Sequence, residues 1–203
     1  MLPAGAEYIP TILFDVDVPL VTMYELSALN VRAMYSSASL CGPEWSSREP
    51  SSGIEIDTIK GLENKLMLVY SGKGRSANQI LQKQKEAMID PAKFALVKSS
   101  RDKAYTAFKL LQNQDYDSFG SLLHDAWMDK KSVVKEITQD YFDTVYSNVM
   151  SAGALGGKLL GAGGGGFFLF YVPLEKQENV RYELTKTPEC KVYDFKFYNK
   201  GST

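Results

Sequence analysis

Hydrophobic and polar positions alternate along this chain with two rhythms, and both become firm from Gly61 onward. The stretch "KLMLVYSG" is a continuous apolar run closed by Ser-Gly, the pattern of a strand buried on both sides. "SANQILQKQKEAMI" predicts a helix that stops near Pro91. Ala104, Ala107, Phe108 and Leu111 then recur at i, i+3, i+4 and i+7, one face of a helix, and Phe119, Leu122, Leu123 and Ala126 repeat the spacing. A further helix is predicted to carry Val134, Ile137, Tyr141, Val145 and Val149, with Gly153 placed to end it. "GKLLG" and "FFLFYV" predict two strands. Pro173 opens a helix with Val180 and Leu184 inward, and Pro188 closes it. "VYDFKFY" alternates, with Tyr193, Phe195 and Phe197 on one face, as a half-buried strand does.

The first 55 residues are less regular. "TILFDVDVPLV" predicts a strand ended by Pro19, and Thr22 caps a short helix over "TMYELSALNVRAMYSSASL". "CGPEWSSREPSSG" reads as a loop or linker. The division expected is therefore an unassigned head over 1–55 and a domain over 56–203. Strands and helices mix without βαβ alternation, so the fold class is α+β, helices layered on a largely antiparallel sheet.

Composition narrows the function classes. With 203 residues and 44% apolar content, the chain can bury a substantial core. A net charge of −1 gives no basic field for nucleic acid or an anionic membrane, and neither partner is expected. No run reaches the roughly 18 apolar residues of a membrane helix, and no basic segment precedes an apolar one at the N-terminus. Cys41 and Cys190 match no metal spacing and read as reduced thiols, which points to a cytoplasmic protein.

The chemistry-bearing stretch is "GALGGKLLGAGGGGFFLFYV", residues 153–172. It holds eight of the sixteen glycines. A hairpin needs one or two, and each extra glycine costs about 0.5–1 kcal/mol against alanine in regular structure. Gly161, Gly163 and Gly166 fit G-x-G-x-x-G, but a dinucleotide fold needs a helix next and "FFLFYV" is a poor helix start. A P-loop would need Gly-Lys-Ser/Thr entering a helix. A protein-kinase glycine loop lies between strands, yet its V-A-I-K, H-R-D and D-F-G companions are missing. A packed glycine turn where helix and sheet touch is the remaining reading from the residues alone.

"GGKLLGAGGGGFFLFYV" resembles the third motif of the GHMP small-molecule kinases. "LENKLMLVYSGKGRSANQIL", "FGSLLHDAWMDKKSVV" and "YDFKFYNKGS" are similar to segments of their heptose-phosphate and sugar-kinase branch, in the same order, from about Gly61 to the C-terminus. The resemblance implies a GHMP-kinase C-terminal-like, ferredoxin-like domain. It also implies ATP, with Mg²⁺ bound mainly through phosphates, and phosphoryl transfer to a hydroxyl of a sugar or sugar phosphate. Gly161, Ala162, Gly163, Gly164, Gly165 and Gly166 would lie beside the phosphates, because bare backbone N–H groups can converge on an anion.

Lys158 either lies near those phosphates or sits on the outer face of its strand. Arg75, where a loop leaves a buried strand, suits a sugar phosphate, and Ser71, Gly72 and Ser76 add hydroxyl and backbone contacts. Lys73 reads as solvent-exposed. His124, the single histidine, reads as packing or surface from its chemistry, while the resemblance places it on the substrate side. Lys130 and Lys131 read as a solvated helix end. Asp125 and Asp129 share a helix face but have no third ligand, so no metal site is expected.

The family's P-x-x-x-G-L-G-S-S-S/A phosphate loop and its acidic partner are not found in residues 1–60, and no catalytic residue is assigned. The expectation is a sugar kinase represented by its C-terminal domain, with little or no turnover alone. It is expected to be a fragment, a truncated gene product, a half-enzyme completed by a separate N-terminal kinase half or by homo-oligomerisation, or a variant whose head replaces the missing parts. The alternative is a non-catalytic ligand-binding or protein-interaction module on the same fold.

Overall fold

The computed structural model describes residues 11–13, 21–22, 56–74 and 77–198. Its elements run β1 (Thr11–Leu13), β2 (Val21–Thr22), α1 (Ile56–Glu63), β3 (Leu66–Tyr70), α2 (Ala77–Ala87), α3 (Pro91–Gln112), α4 (Tyr116–Val133), α5 (Asp140–Ser151), β4 (Gly156–Leu159), β5 (Phe167–Tyr171), α6 (Gln177–Thr185), β6 (Lys191–Tyr193) and β7 (Lys196–Tyr198). Strands β3 to β6 form one antiparallel sheet in the order β4–β5–β3–β6. With the intervening helices this is the βαββαβ arrangement of ferredoxin-like folds. The α+β expectation holds.

The two central strands are apolar throughout because both faces of the sheet are covered. Met67, Val69, Phe168 and Phe170 pack in one cluster with Trp127, Phe142 and Val149. Leu66, Leu68, Leu169 and Tyr171 pack in a second with Leu62, Phe119 and Leu123. Helix α4 contributes to both clusters, through Phe119, Leu123 and Ala126 to one and Trp127 to the other. Its first half lies against β4 and β5 with no room to spare. A methyl group at Gly156 would collide with the Gly120 carbonyl, and one at Gly120 with the Tyr171 ring.

Local signals set several helix ends. Asp90 caps α3, its carboxylate accepting from the Ala92 amide at 2.9 Å, and Pro91 occupies the first turn. Pro91 therefore opens a helix rather than only stopping the one before. Helix α5 ends in a Schellman turn: Gly153 has φ +120°, its amide donates to Met150 O, and the Ala154 amide donates to Val149 O.

Two expectations are corrected. The helix expected to carry Val134 through Val149 is broken: Val134 and Thr138 are extended, Lys135–Ile137 is a single 3₁₀ turn, and α5 starts at Asp140. "VYDFKFY" is two strands, not one. β6 pairs with β3, whereas β7 joins the second sheet, of order β2–β1–β7. The alternation nonetheless survives the break, with Val192 on one cluster and Tyr193, Phe195 and Phe197 on the other. Thr22 lies in strand β2. The helix expected after it, Pro19, the "CGPEWSSREPSSG" segment and Cys41 lie outside the described residues. Among the described residues no helix is long and apolar enough to cross a membrane.

Three phenols lock elements together. Tyr141 donates to Ser71 O at 2.8 Å, Tyr146 to Gly157 O at 3.2 Å, and Tyr171 to Asp117 Oδ1 at 2.6 Å. Burial raises all three above the ordinary phenol range, and the Asp117 carboxylate pushes Tyr171 further. The folded state therefore holds protons that the unfolded chain releases near pH 10, so stability is full below about pH 10 and falls as pH rises beyond it. Phenolate absorbance followed beside circular dichroism should show these three ionising only as the fold is lost. Ionisation of all tyrosines before any loss of structure would contradict this.

A second test addresses packing. Gly156→Ala should lower stability by about 2–3 kcal/mol in urea titration. Gly74→Ala, with nothing within 4 Å of the added methyl, should stay within about 0.5 kcal/mol.

Candidate functional site

Antiparallel pairing of β3 with β5 matches Tyr70 to Phe167. The loop that leaves β3 and the glycine loop that enters β5 therefore meet at the same end of the sheet. The ladder continues into both: Ser71 N donates to Gly166 O at 2.9 Å, and Gly166 N donates to Lys73 O at 2.8 Å. On the far side the Gly164 amide donates to Ile137 O at 2.8 Å. That carbonyl is available because the helix breaks at residues 134–138 and leaves it outside a continuous helical ladder.

Glycine is required at two positions for stated reasons. Gly163 has φ +98°, and a methyl there would lie 2.7 Å from Ile137 O. Gly165 has φ +147°, and its methyl would lie 2.7 Å from Lys73 O. The loop thus threads between the 3₁₀ turn and the β3 exit, its backbone touching both.

Two side chains hold its first carbonyls. Lys130 of α4, 7% exposed, donates from Nζ to Gly161 O at 2.6 Å. Gln84 of α2, 2% exposed, donates from Nε2 to Ala162 O at 3.2 Å, while its buried Oε1 has no partner among the described residues. The amides of Ala162, Gly163 and Gly165 likewise have no acceptor among the described residues.

Lys158 is buried on β4, opposite Leu169, so the outer-face reading is corrected. Ser71 is fully buried, and its hydroxyl is turned onto Lys73 O at 3.1 Å, where it braces the loop. Gly72 has φ +76° and abuts Glu189. Arg75 and Ser76 lie outside the described residues, although a methyl group at Gly165 would come within 3.1 Å of the Cα of Gly74, the residue before Arg75. Lys73 is exposed as expected, with its ammonium 3.7 Å from the centre of the Tyr141 ring.

His124 is half-buried. Its Nδ1 lies 2.9 Å from Tyr146 Oη, whose hydrogen goes to Gly157 O, so in this arrangement Nδ1 carries the proton. It braces the start of β4. Cys190 is a free thiol, raised by burial and 3.7 Å from Tyr141 Oη.

Lys130 and Lys131 are not a solvated helix end: Lys130 is buried on the loop, and Lys131 pairs with Asp143 at 2.7 Å. Asp129 is held by Lys103 at 2.5 Å and Ser99 at 2.9 Å. Among the described residues no three metal-ligating side chains converge.

The sequence reading missed Lys130 and Gln84, yet both carried a signal. Phe119, Leu123, Ala126, Lys130 and Val133 step by four and three along α4, and Ile80, Gln84 and Ala87 do the same on α2. Each polar residue stands in an apolar stripe.

A family model described as GHMP kinases C terminal matches residues 107–190. The D-glycero-alpha-D-manno-heptose 7-phosphate kinase of Campylobacter jejuni is 27% identical over 140 residues, covering 69% of this chain and 41% of that protein. The bifunctional fucokinase/GDP-fucose pyrophosphorylase of Arabidopsis thaliana is 30% identical over 146 residues, 70% of this chain and 13% of that protein. This chain therefore spans less than half the length of either relative. Mevalonate kinase of Methanococcus jannaschii superposes with a TM-score of 0.59 at 23% identity, over 72% of this chain and 44% of that one, which is a likeness of fold. The four-stranded sheet and its covering helices agree with these matches, and residues 107–190 carry a GHMP kinase C-terminal domain.

Proposed function

We propose that this chain serves ATP-dependent phosphoryl transfer to a hydroxyl of a sugar or sugar phosphate, with the glycine loop forming one wall of the phosphate site. The observation that carries the reading is the set of loop amides at Ala162, Gly163 and Gly165, which have no acceptor among the described residues although the loop is tied down on both sides. A buried N–H left unpaired costs about 1–3 kcal/mol, and Gly163 is buried. An anion with several oxygens relieves that cost. The buried ammonium of Lys130, held on the loop itself, adds positive charge to the same region. ATP fits such a wall, and Mg²⁺ arrives with the triphosphate and neutralises its charge.

The two sugar-kinase relatives support a sugar or sugar phosphate as acceptor. We assign it to the β3 exit loop at Ser71–Ser76, with Arg75 as its phosphate or hydroxyl partner. Residues 56–203 form the C-terminal domain in this reading. The rest of the phosphate cradle lies in this reading outside the 203 residues, in an N-terminal kinase half.

A second reading, a non-catalytic ligand-binding or protein-interaction module, is favoured by one observation: no P-x-x-x-G-L-G-S-S-S/A segment stands among the 203 residues.

Calorimetric titration of the chain with ATP–Mg²⁺, in the presence of hexoses and heptose phosphates, should give saturable binding, and a coupled ADP-release assay reads turnover. Binding without turnover supports the second reading; absence of any triphosphate binding removes the first. Arg75→Ala should weaken the sugar phosphate roughly 10- to 100-fold, the worth of a charge-assisted hydrogen bond, while the ATP–Mg²⁺ isotherm stays unchanged.

A further inference from the structure

The glycine loop is held by two buried side chains, Lys130 and Gln84, and the geometry of the peptide bond says what they do. A trans peptide is planar, so the carbonyl of one residue and the N–H of the next point to opposite sides of the same plane. Lys130 Nζ pulls on Gly161 O at 2.6 Å, which turns the Ala162 N–H away from Lys130. Gln84 Nε2 pulls on Ala162 O at 3.2 Å, which turns the Gly163 N–H away from Gln84. These two amides are the consecutive pair that lacks an acceptor among the described residues.

We propose that Lys130 and Gln84 are positioning residues of the phosphate site: from two different helices they clamp successive peptide planes of the glycine loop, so that the Ala162 and Gly163 amides face the anion. The inference rests on the phosphate-site reading for the identity of the ligand, but not for the clamp itself.

Three features give it weight. Both side chains are almost fully buried, so each is fixed by packing before any ligand arrives. Both stand at core positions of their helical stripes, where an apolar residue is the ordinary choice. Gln84 cannot be turned round in its site, because only its amide nitrogen can donate to Ala162 O; its Oε1 remains buried without a partner among the described residues. A residue that bears this cost for packing alone would be better replaced by leucine.

Glycine peptides have little preference of their own, so loss of either clamp frees the plane to rotate. The amides would then be present but unaimed. Binding would fall while the sheet and helices stay intact.

The test compares the full chain with Lys130→Met, Gln84→Leu and Lys130→Arg. Amide hydrogen exchange reads the loop, thermal unfolding reads global stability, and calorimetry with ATP–Mg²⁺ reads the site. Methionine and leucine fill the buried volume without the donor. We expect exchange over residues 160–166 to rise roughly tenfold in Lys130→Met and Gln84→Leu, with β3 and α5 unchanged. ATP–Mg²⁺ binding should weaken roughly tenfold, and Lys130→Arg, which keeps a donor, should recover most of both.

Unchanged loop exchange in both apolar variants overturns the proposal. So does a loss of binding that tracks a lowered Tm and is not recovered by arginine. Where Lys130→Met does not fold, Gln84→Leu decides on the same criteria. If the unaltered chain binds no triphosphate, the kinase reading falls, and the exchange rates alone uphold or overturn the clamp.

Discussion

The pairing of β3 with β5 is the constraint on which the rest of this structure depends. Five residue pairs run from Leu66–Tyr171 to Tyr70–Phe167, with apolar side chains on both faces. Because the strands are antiparallel, the exit of one and the entrance of the other lie at one end of the sheet. The two loops there continue the ladder by exchanging bonds between Ser71, Lys73 and Gly166. A change that loosened this central pair would separate the loops before it reached any residue that touches a ligand. The site is thus an extension of sheet hydrogen bonding into irregular backbone, and its geometry inherits the stiffness of the core.

Around that axis, two departures from regular structure become intelligible. A continuous helix from Val134 to Val149 would have used the Ile137 carbonyl in its own ladder. The break leaves that carbonyl for the Gly164 amide and brings the 3₁₀ turn against Gly163. The phenols of Tyr141 and Tyr146 act at the same level. One holds the Ser71 carbonyl and the other the Gly157 carbonyl, so α5 is fastened to the strands on either side of the loop. Helix α5 and the turn before it thereby set the depth at which the glycines sit.

Much of this was legible in the residues, and the failures have physical causes. The runs "LMLVY" and "FFLFY" announced doubly covered strands because no polar side chain can be placed on either face. The stripes of α3 and α4 were clear for the same reason. The split of "VYDFKFY" was not visible, because period-two alternation continues unbroken across Asp194 and Phe195 while the pairing partner changes from β3 to β1. Partner choice is a tertiary event that leaves no mark on a local pattern. The helix break escaped because Val134, Ile137 and Tyr141 keep helical spacing across it. Lys130 was misread for a simpler reason: a lysine is ordinarily solvated, and its position in the apolar stripe was outweighed by its type. Glycine content located the loop, but only the surrounding carbonyls show which amides are engaged and which are left over.

That distinction bears on what a C-terminal domain would contribute to the proposed phosphoryl transfer. The reaction asks its enzyme chiefly to hold phosphates in line and to stabilise their charge, with little covalent chemistry of its own. A wall of backbone amides meets the first demand without a titrating group, so its contribution does not vary with pH across the neutral range. It meets the demand only if the peptide planes are fixed in advance, since freely rotating glycines would spend the binding energy on ordering themselves. Anchoring the loop at Gly161, Ala162, Gly164 and Gly166, from four separate parts of the chain, places that ordering in the folding of the domain rather than in the encounter with the proposed nucleotide.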